Sequence, residues 1–203
     1  MVTEIHSYQT NNYNAVVSTI ARAFCNDPMF VHVMSDNAKR PKVVTAMTRL
    51  AVNAITRVGK VDCTADTTGT AMWMTPAQAE PTFGDMLRGG LIALPFRAGF
   101  RPTIRFLQML SAGEAVHREA TPGPHWYLAM IAVEPEHHGQ GIGSALIQHG
   151  LKRVDADGLP CYLETSNERN IPLYERYGFN IYHTDLLPDN GPRYWGMLRE
   201  TVS

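Results

Sequence analysis

Gly139, Gly141 and Gly143 fall within five positions of "HHGQGIGSALIQHGL", a few residues after the apolar stretch "WYLAMIAV". An unbroken apolar run reads as a strand buried on both faces, and the segment after the glycines carries helical spacing as far as Gly158. A helix that leaves the end of a buried strand brings the chain back across the sheet. The next apolar run, "PCYLETS", is therefore expected beside "WYLAMIAV" and parallel to it, through a right-handed crossover. Alternate glycines cost backbone order, so the loop needs either positive φ for a tight turn or room for close approach by something else. Spacing alone leaves both open.

The flanking segments extend this unit to a mixed α/β chain. "NAVVSTIARAFCNDP" has helical spacing at Val16, Ile20, Ala23 and Phe24 and stops at Asn26-Asp27-Pro28. "KRPKVVTAMTRLAVNAITRVG" repeats the pattern at Val44, Met47, Leu50, Ala51 and Ile55, then ends at Gly59. "KVDCTAD" and "GTAMWMTP" read as a hairpin, with the region of Trp73 and Phe83 expected in the core. Residues 81–120 read as helical pieces broken by Gly and Pro. "IPLYERYG" reads as a short helix with Pro172 in its first turn, where a missing N–H is harmless. "FNIYHTDL" and "RYWGMLRE" close the chain as strands. One domain over 1–203 is expected.

Composition bounds the function. A chain of 203 residues can bury a core without disulfides or a structural metal. A net charge of −1, with charges mixed along the sequence, argues against nucleic-acid and anionic-membrane partners. Cys25, Cys63 and Cys161 form no CxxC pair, which suits reduced thiols and a cytoplasmic location. "MVTEIHSYQTNN" lacks the basic and apolar regions of a signal peptide. "GGLIALPFRAGF", broken by Pro95 and Arg97, falls short of the roughly 20 residues a membrane span requires. Adjacent His137 and His138 point in different directions, and no Cys/His/Asp spacing suits zinc or iron, so no metal is expected. His125 and Trp126 open the strand "WYLAMIAV" and read as edge residues, with an acceptor pocket as the alternative.

The glycine loop lies where the first-turn N–H groups of the following helix point, which makes it a candidate anion cradle. Two common nucleotide loops fail on their patterns. The glycines are evenly spaced by two, unlike a GxGxxG fingerprint, and the loop comes late in the chain. No Lys-Ser or Lys-Thr follows, as a Walker A loop requires.

"IAVEPEHHGQGIGSAL" followed by "YLETSNERNIPLYERYGF" resembles the acetyl-CoA-binding half of the GNAT N-acetyltransferases. That family's signature of Arg or Gln, two residues, Gly, one residue, Gly or Ala reads here His138-Gly139-Gln140-Gly141-Ile142-Gly143. His138 in the Arg/Gln place weakens a side-chain contact to the pyrophosphate and leaves the backbone cradle intact. The second signature, an Asn seven residues before a Tyr and then Gly-Phe, is matched by Asn167, Tyr174, Gly178 and Phe179. "RAF", "MWMTP", "GPHWYLAMIAV" and "GPRYW" extend the likeness toward puromycin N-acetyltransferase-like members. The resemblance implies a GNAT fold: a central mixed, mostly antiparallel twisted sheet flanked by helices, its central parallel strands splayed. It implies acetyl-CoA as acyl donor, a primary amine of a small molecule as acceptor, and direct attack in a ternary complex. It places the cofactor on Ile131, Ala132, Val133, His138, Gly139, Gln140, Gly141, Ile142, Gly143, Ser144, Asn167 and Asn170. Residues 81–120 resemble the family least and are expected to shape the acceptor site. A longer acyl-CoA or a catalytically idle CoA-binding module is the alternative, and monomer and homodimer both stay open.

Amide formation sets the chemistry such a site must supply. An amine with a pKa near 10.4 must lose a proton before it attacks. The thioester carbonyl gains negative charge, which by the resemblance a backbone N–H near Ala132 or Val133 stabilises. The departing thiolate leaves more readily once protonated, and the resemblance gives that proton to Tyr174, whose spacing beside Leu173 and Tyr177 also suits a core tyrosine. Asn167 reads equally as a turn or cap, and Asn170, four residues before Tyr174, as an N-cap or a residue on the same face. Glu134, after the buried strand, and Glu164, inside "YLETS", are the candidate bases. A glutamate within an apolar strand is either ion-paired or functional.

Overall fold

The protein is described by a computed structural model over residues 3–79 and 81–201. Seven strands form one sheet in the order β1-β2-β3-β4-β5-β7-β6. β1 (Ile5–Ser7), β2 (Lys60–Thr64), β3 (Gly69–Met74) and β4 (Trp126–Val133) are successively antiparallel. β5 (Cys161–Thr165) lies parallel to β4, and β7 (Arg193–Arg199) separates it from β6 (Asn180–Leu186) with antiparallel pairing on both sides. The mixed, mostly antiparallel sheet and the parallel pair around a helical crossover are as expected.

Helices cover both faces because each strand alternates its side chains across the sheet. α7 (Ile142–Asp157) packs Leu146, Ile147, Leu151 and Val154 on one face, against Trp73, Leu128 and Leu163. Gly158 ends it in the left-handed region at φ 62°. Arg153 on α7 lies 6.0 Å from the Trp73 and Trp126 rings and pairs with buried Asp62 on β2, locking helix to sheet. α1 (Tyr13–Phe24) and α3 (Arg40–Val58) cover the other face with Val16, Ile20, Val52 and Ile55 against Val61, Met72 and Met74. A third cluster joins α3 to α5 (Leu94–Ala98) and α6 (Phe100–Ala120) through Met47, Leu50, Leu94 and Phe106.

Several features depart from the sequence reading. β1 spans three largely exposed residues, too few for a periodic signal. Asn26-Asp27-Pro28 ends α1 and also starts α2 (Pro28–Val33): Asp27 caps it, accepting from the Met29 N–H at 3.0 Å, and Pro28 sits in its first turn. α8 (Ile171–Glu175) is a single turn, shorter than "IPLYERYG". Trp73 is fully buried, whereas Phe83 is 69% exposed. Phe83 opens α4 (Phe83–Gly89), which turns Asp85 and Gly89 inward, and the Thr82–Asp85 capping box fixes that orientation. His125 and Trp126 are not at a sheet edge, because β4 lies in the middle. Trp126 is buried with its indole N–H on Asp157 at 2.9 Å, and His125 is buried against α6.

Candidate active site

β4 and β5 pair at three positions only: Trp126 with Cys161, Tyr127 with Tyr162, Leu128 with Leu163. β3 follows β4 on to Val133, and β7 follows β5 on to Thr165, so the two central strands part beyond Leu128. The β3–β4 register shift places a bulge there. Met72 faces Met130 while Trp73 faces Leu128, leaving Ala129 as the extra residue that bends β4 away from β5. Ala129, Met130, Ile131, Ala132 and Val133 then line a cavity of about 890 Å³ whose opposite wall carries Glu164, Thr165 and Ser166. Backbone groups of β4 that would have bonded β5 face this space.

The glycine loop closes one end of the cavity. Gly139 and Gly141 have φ of 78° and 83°, and Gly141 is the N-cap of α7. A Cβ on either would meet no atom within 4 Å, so the same turn that needs glycine for its φ also leaves open space before the helix. The first N–H groups of α7 have no acceptor within the helix. His138 donates from Nε2 to the Val133 carbonyl at 3.0 Å, tying the loop to the end of β4. His137 Nδ1 is buried without a hydrogen-bond partner among the described residues, and its side chain lines the cavity. α8 packs alongside, with Leu173 Cδ2 3.8 Å from where a Cβ on Gly143 would sit, and Arg169, in the turn before it, and Arg176, just after it, line the wall.

Thirteen of the residues singled out in the sequence converge on this cavity: Ile131, Ala132, Val133, His138, Gly139, Gly141, Ile142, Gly143, Ser144, Glu164, Asn167, Asn170 and Tyr174. Gln140 and Glu134 are not in its lining. Glu134 receives Thr19 Oγ1 at 2.7 Å and Arg22 Nε at 2.8 Å, with a further short contact to the same guanidinium. The Arg22 hydrogen bond holds its carboxyl below the ordinary glutamate range, which disfavours proton uptake. Asn167 accepts from the Arg169 N–H at 3.2 Å as a cap, and Asn170 occupies the N-cap position of α8 without a side-chain cap bond. Tyr174 is buried against Phe179, ring centroids 6.2 Å apart. Burial, then the charge of Asp27, pushes its phenol above the usual tyrosine range, so it stays protonated.

Asp27 and His117 are residues of this wall that sequence reading passed over. Asp27 reaches the cavity from the α1–α2 junction and accepts from Ser166 Oγ at 2.8 Å, while burial pushes its carboxyl up. His117 on α6 lines the cavity beside Glu114. The only signal for either was the helix-stop "NDP" and an unremarkable histidine in a helical run. The segment over 81–120 contributes Pro81, Met86, Phe106, Met109 and Leu110, so one end of the cavity is apolar and carboxylate-bearing.

Residues 104–179 match the acetyltransferase (GNAT) family. The chain is 29% identical over 184 residues to an uncharacterized N-acetyltransferase of Schizosaccharomyces pombe, covering 88% of this chain and 74% of that protein. It is 35% identical over 86 residues to a mycothiol acetyltransferase of Streptomyces scabiei, but spans only 28% of that relative's length. Among solved structures, histone acetyltransferase HPA2 and related acetyltransferase from Corynebacterium glutamicum superposes with a TM-score of 0.71 at 24% identity, covering 100% of this chain and 98% of that one. A mosquito arylalkylamine N-acetyltransferase like 5b gives 0.62 at 11% identity, covering 97% and 98%. At these identities the solved structures speak for the fold. The chain is thus similar to GNAT-family acetyltransferases over residues 104–179 and to an N-acetyltransferase over most of its length, and it shares the fold of the solved structures.

Proposed function

We propose that the protein, as one domain over 1–203, transfers an acetyl group from acetyl-CoA to a primary amine of a small molecule by direct attack in a ternary complex. The observation that carries this reading is one continuous cavity joining the parted β4–β5 strands, the glycine-led start of α7 and Tyr174. Acetyl-CoA supplies an acetyl thioester. The open space over Gly139 and Gly141, the unpartnered His137 nitrogen and the first N–H groups of α7 fit its phosphates. Outward-facing backbone of residues 129–133 suits an extended amide-bearing arm, in the manner of strand addition. Tyr174, kept protonated by burial, holds the proton a departing thiolate takes up.

The other end of the cavity defines the acceptor. Asp27, Glu114 and Glu164 attract an ammonium group, while Phe106, Met109 and Met86 accept an apolar body. An amine bearing an aromatic or aliphatic group fits both. Aminonucleosides, to which the puromycin N-acetyltransferase likeness points, are such amines. Free Cys25, Cys63 and Cys161 suit a reducing cytoplasm, and no helix among the described residues is long and apolar enough to cross a membrane.

The test is thiol release from acetyl-CoA against a panel of amines including puromycin, aromatic amines and polyamines, with succinyl-CoA as a donor control. Amine-dependent release and a product heavier by one acetyl group are expected. Release without any amine dependence, across the panel, would count against transfer.

A further inference from the structure

The helices over 81–120 have an inner side, which lines the apolar end of the cavity, and an exposed outer side. Six of the eleven large apolar side chains exposed among the described residues fall within 83–104. Ile92, Phe96 and Phe100 are 71%, 80% and 65% exposed, and Ile104 follows Phe100 by about one turn of α6. The Phe96 and Phe100 rings lie 6.1 Å apart, edge to face, although they belong to different helices. Single exposed apolar residues are ordinary, whereas a cluster of them on one surface marks a contact with something else.

The backbone sets these residues on one side. Gly90 and Gly99, at φ 109° and 93°, bend the chain between α4, the single turn Leu91–Ala93, α5 and α6. α4 and α5 both pack on α3: Asn53 Nδ2 donates to the Gly89 carbonyl at 3.1 Å, and Leu94 and Ala98 are buried with Met47 and Leu50. With Asp85, Gly89, Leu94 and Ala98 turned inward, Phe83, Ile92 and Phe96 are left outward. Charge then says what this surface suits. Between Met86 and Gly113 the chain holds Arg88, Arg97, Arg101 and Arg105 and no Asp or Glu, a run that the net charge of −1 for the whole chain conceals. Arg88 lies 3.8 Å from Asp85, and Arg105 3.9 Å from Asp189. Arg97 and Arg101, next to Phe96 and Phe100 in the chain, are exposed and pair with no carboxylate among the described residues.

We propose that the outer face of α4, α5 and the start of α6 docks the protein on an anionic lipid bilayer. Such a surface takes both kinds of group at once. Phenylalanine and isoleucine side chains enter the boundary between headgroups and acyl chains, while guanidinium groups stay level with the lipid phosphates. The exposed rings stand out from the helices instead of lining a groove, which suits a broad, deformable partner. A second copy seated face to face would repeat the patch and set arginines against arginines. No helix among the described residues is long and apolar enough to span the bilayer, so the contact lies in the plane of its surface. The proposal stands apart from the transfer chemistry and holds whether or not that reading does.

Co-sedimentation of the full chain with vesicles tests it, comparing mixed phosphatidylglycerol–phosphatidylcholine vesicles with phosphatidylcholine alone. Binding is expected to the mixed vesicles at low salt and should weaken steeply in high salt, where the charges are screened. Arg97→Gln and Arg101→Gln should each weaken it on the order of fivefold. Phe96→Ser combined with Phe100→Ser should abolish it while thermal unfolding stays near wild type, because both rings are exposed. The arginine variants decide the matter even if the phenylalanine pair does not fold. No binding to the mixed vesicles would overturn the proposal, as would equal binding to both vesicle types with the arginine variants unaffected. A dimer in analytical ultracentrifugation that the phenylalanine pair dissociates would give this face to a second copy and overturn it too. An oligonucleotide bound more tightly than the mixed vesicles, and released by the same variants, would do likewise.

Discussion

Two residues singled out for catalysis are separated by what surrounds them. Tyr174 is buried, and its raised pKa keeps the phenol neutral throughout the working pH range. Tyr174→Phe keeps the ring against Phe179 and removes only the proton, so kcat should fall about ten- to a thousandfold with acetyl-CoA affinity nearly unchanged. Steady-state kinetics with calorimetry checks this, and kcat within a few-fold of wild type would return Tyr174 to the core. Because burial moves its ionisation upward, the difference is read in kcat and not in an alkaline limb. Glu134 is different. Its carboxyl is lowered by Arg22, so its stabilising effect is present above the ordinary glutamate pKa and is lost as pH falls through the lower folded value. Glu134→Gln should cost about 1–3 kcal/mol at neutral pH by thermal unfolding, as for a hydrogen bond to a charged group. That difference should shrink on acidification below the glutamate range, while turnover stays near wild type. A collapse of turnover at unchanged stability would make Glu134 catalytic after all.

At the scale of elements, the β4–loop–α7–β5 unit was legible because its signals are local: an apolar run, alternate glycines, helical spacing, a second apolar run. What was not legible is what meets across the chain. Ser166 reaches Asp27 over 139 positions and Arg22 reaches Glu134 over 112, and no periodicity encodes such partners. His117 and Glu164 come together because α6 crosses β5 at Gly113, a glycine whose reason appears only with the carboxylate beside it. The loop glycines offer a sharper test than their shared pattern suggests. Gly141 has positive φ, so any side chain there strains the turn as well as the cradle. A Cβ on Gly143 makes only ordinary contacts at 3.8 Å. Gly143→Ala should therefore leave Tm within a few degrees of wild type and weaken acetyl-CoA binding, whereas Gly141→Ala should lose both. Equal losses of Tm and binding at Gly143 would reduce the loop to a plain turn.

For the whole molecule, the cavity runs from a phosphate-suited end at the start of α7, flanked by Arg169 and Arg176, to an apolar end with carboxylates under α4 and α6. The expectation that the region of Trp73 and Phe83 lies in the core holds at Trp73 and fails at Phe83, because α4 turns Asp85 and Gly89 to the protein. Phe83→Ser should accordingly change stability by no more than about 0.5 kcal/mol in denaturant unfolding. The central claim is that the parting of β4 and β5 is where acetyl-CoA binds. Hydrogen exchange read along the backbone, with and without acetyl-CoA, tests it directly. Protection should rise together in residues 129–133 and in the first turn of α7, and stay unchanged in the outer pair β1–β2. Protection confined to other segments, or no change on saturation, would contradict the account.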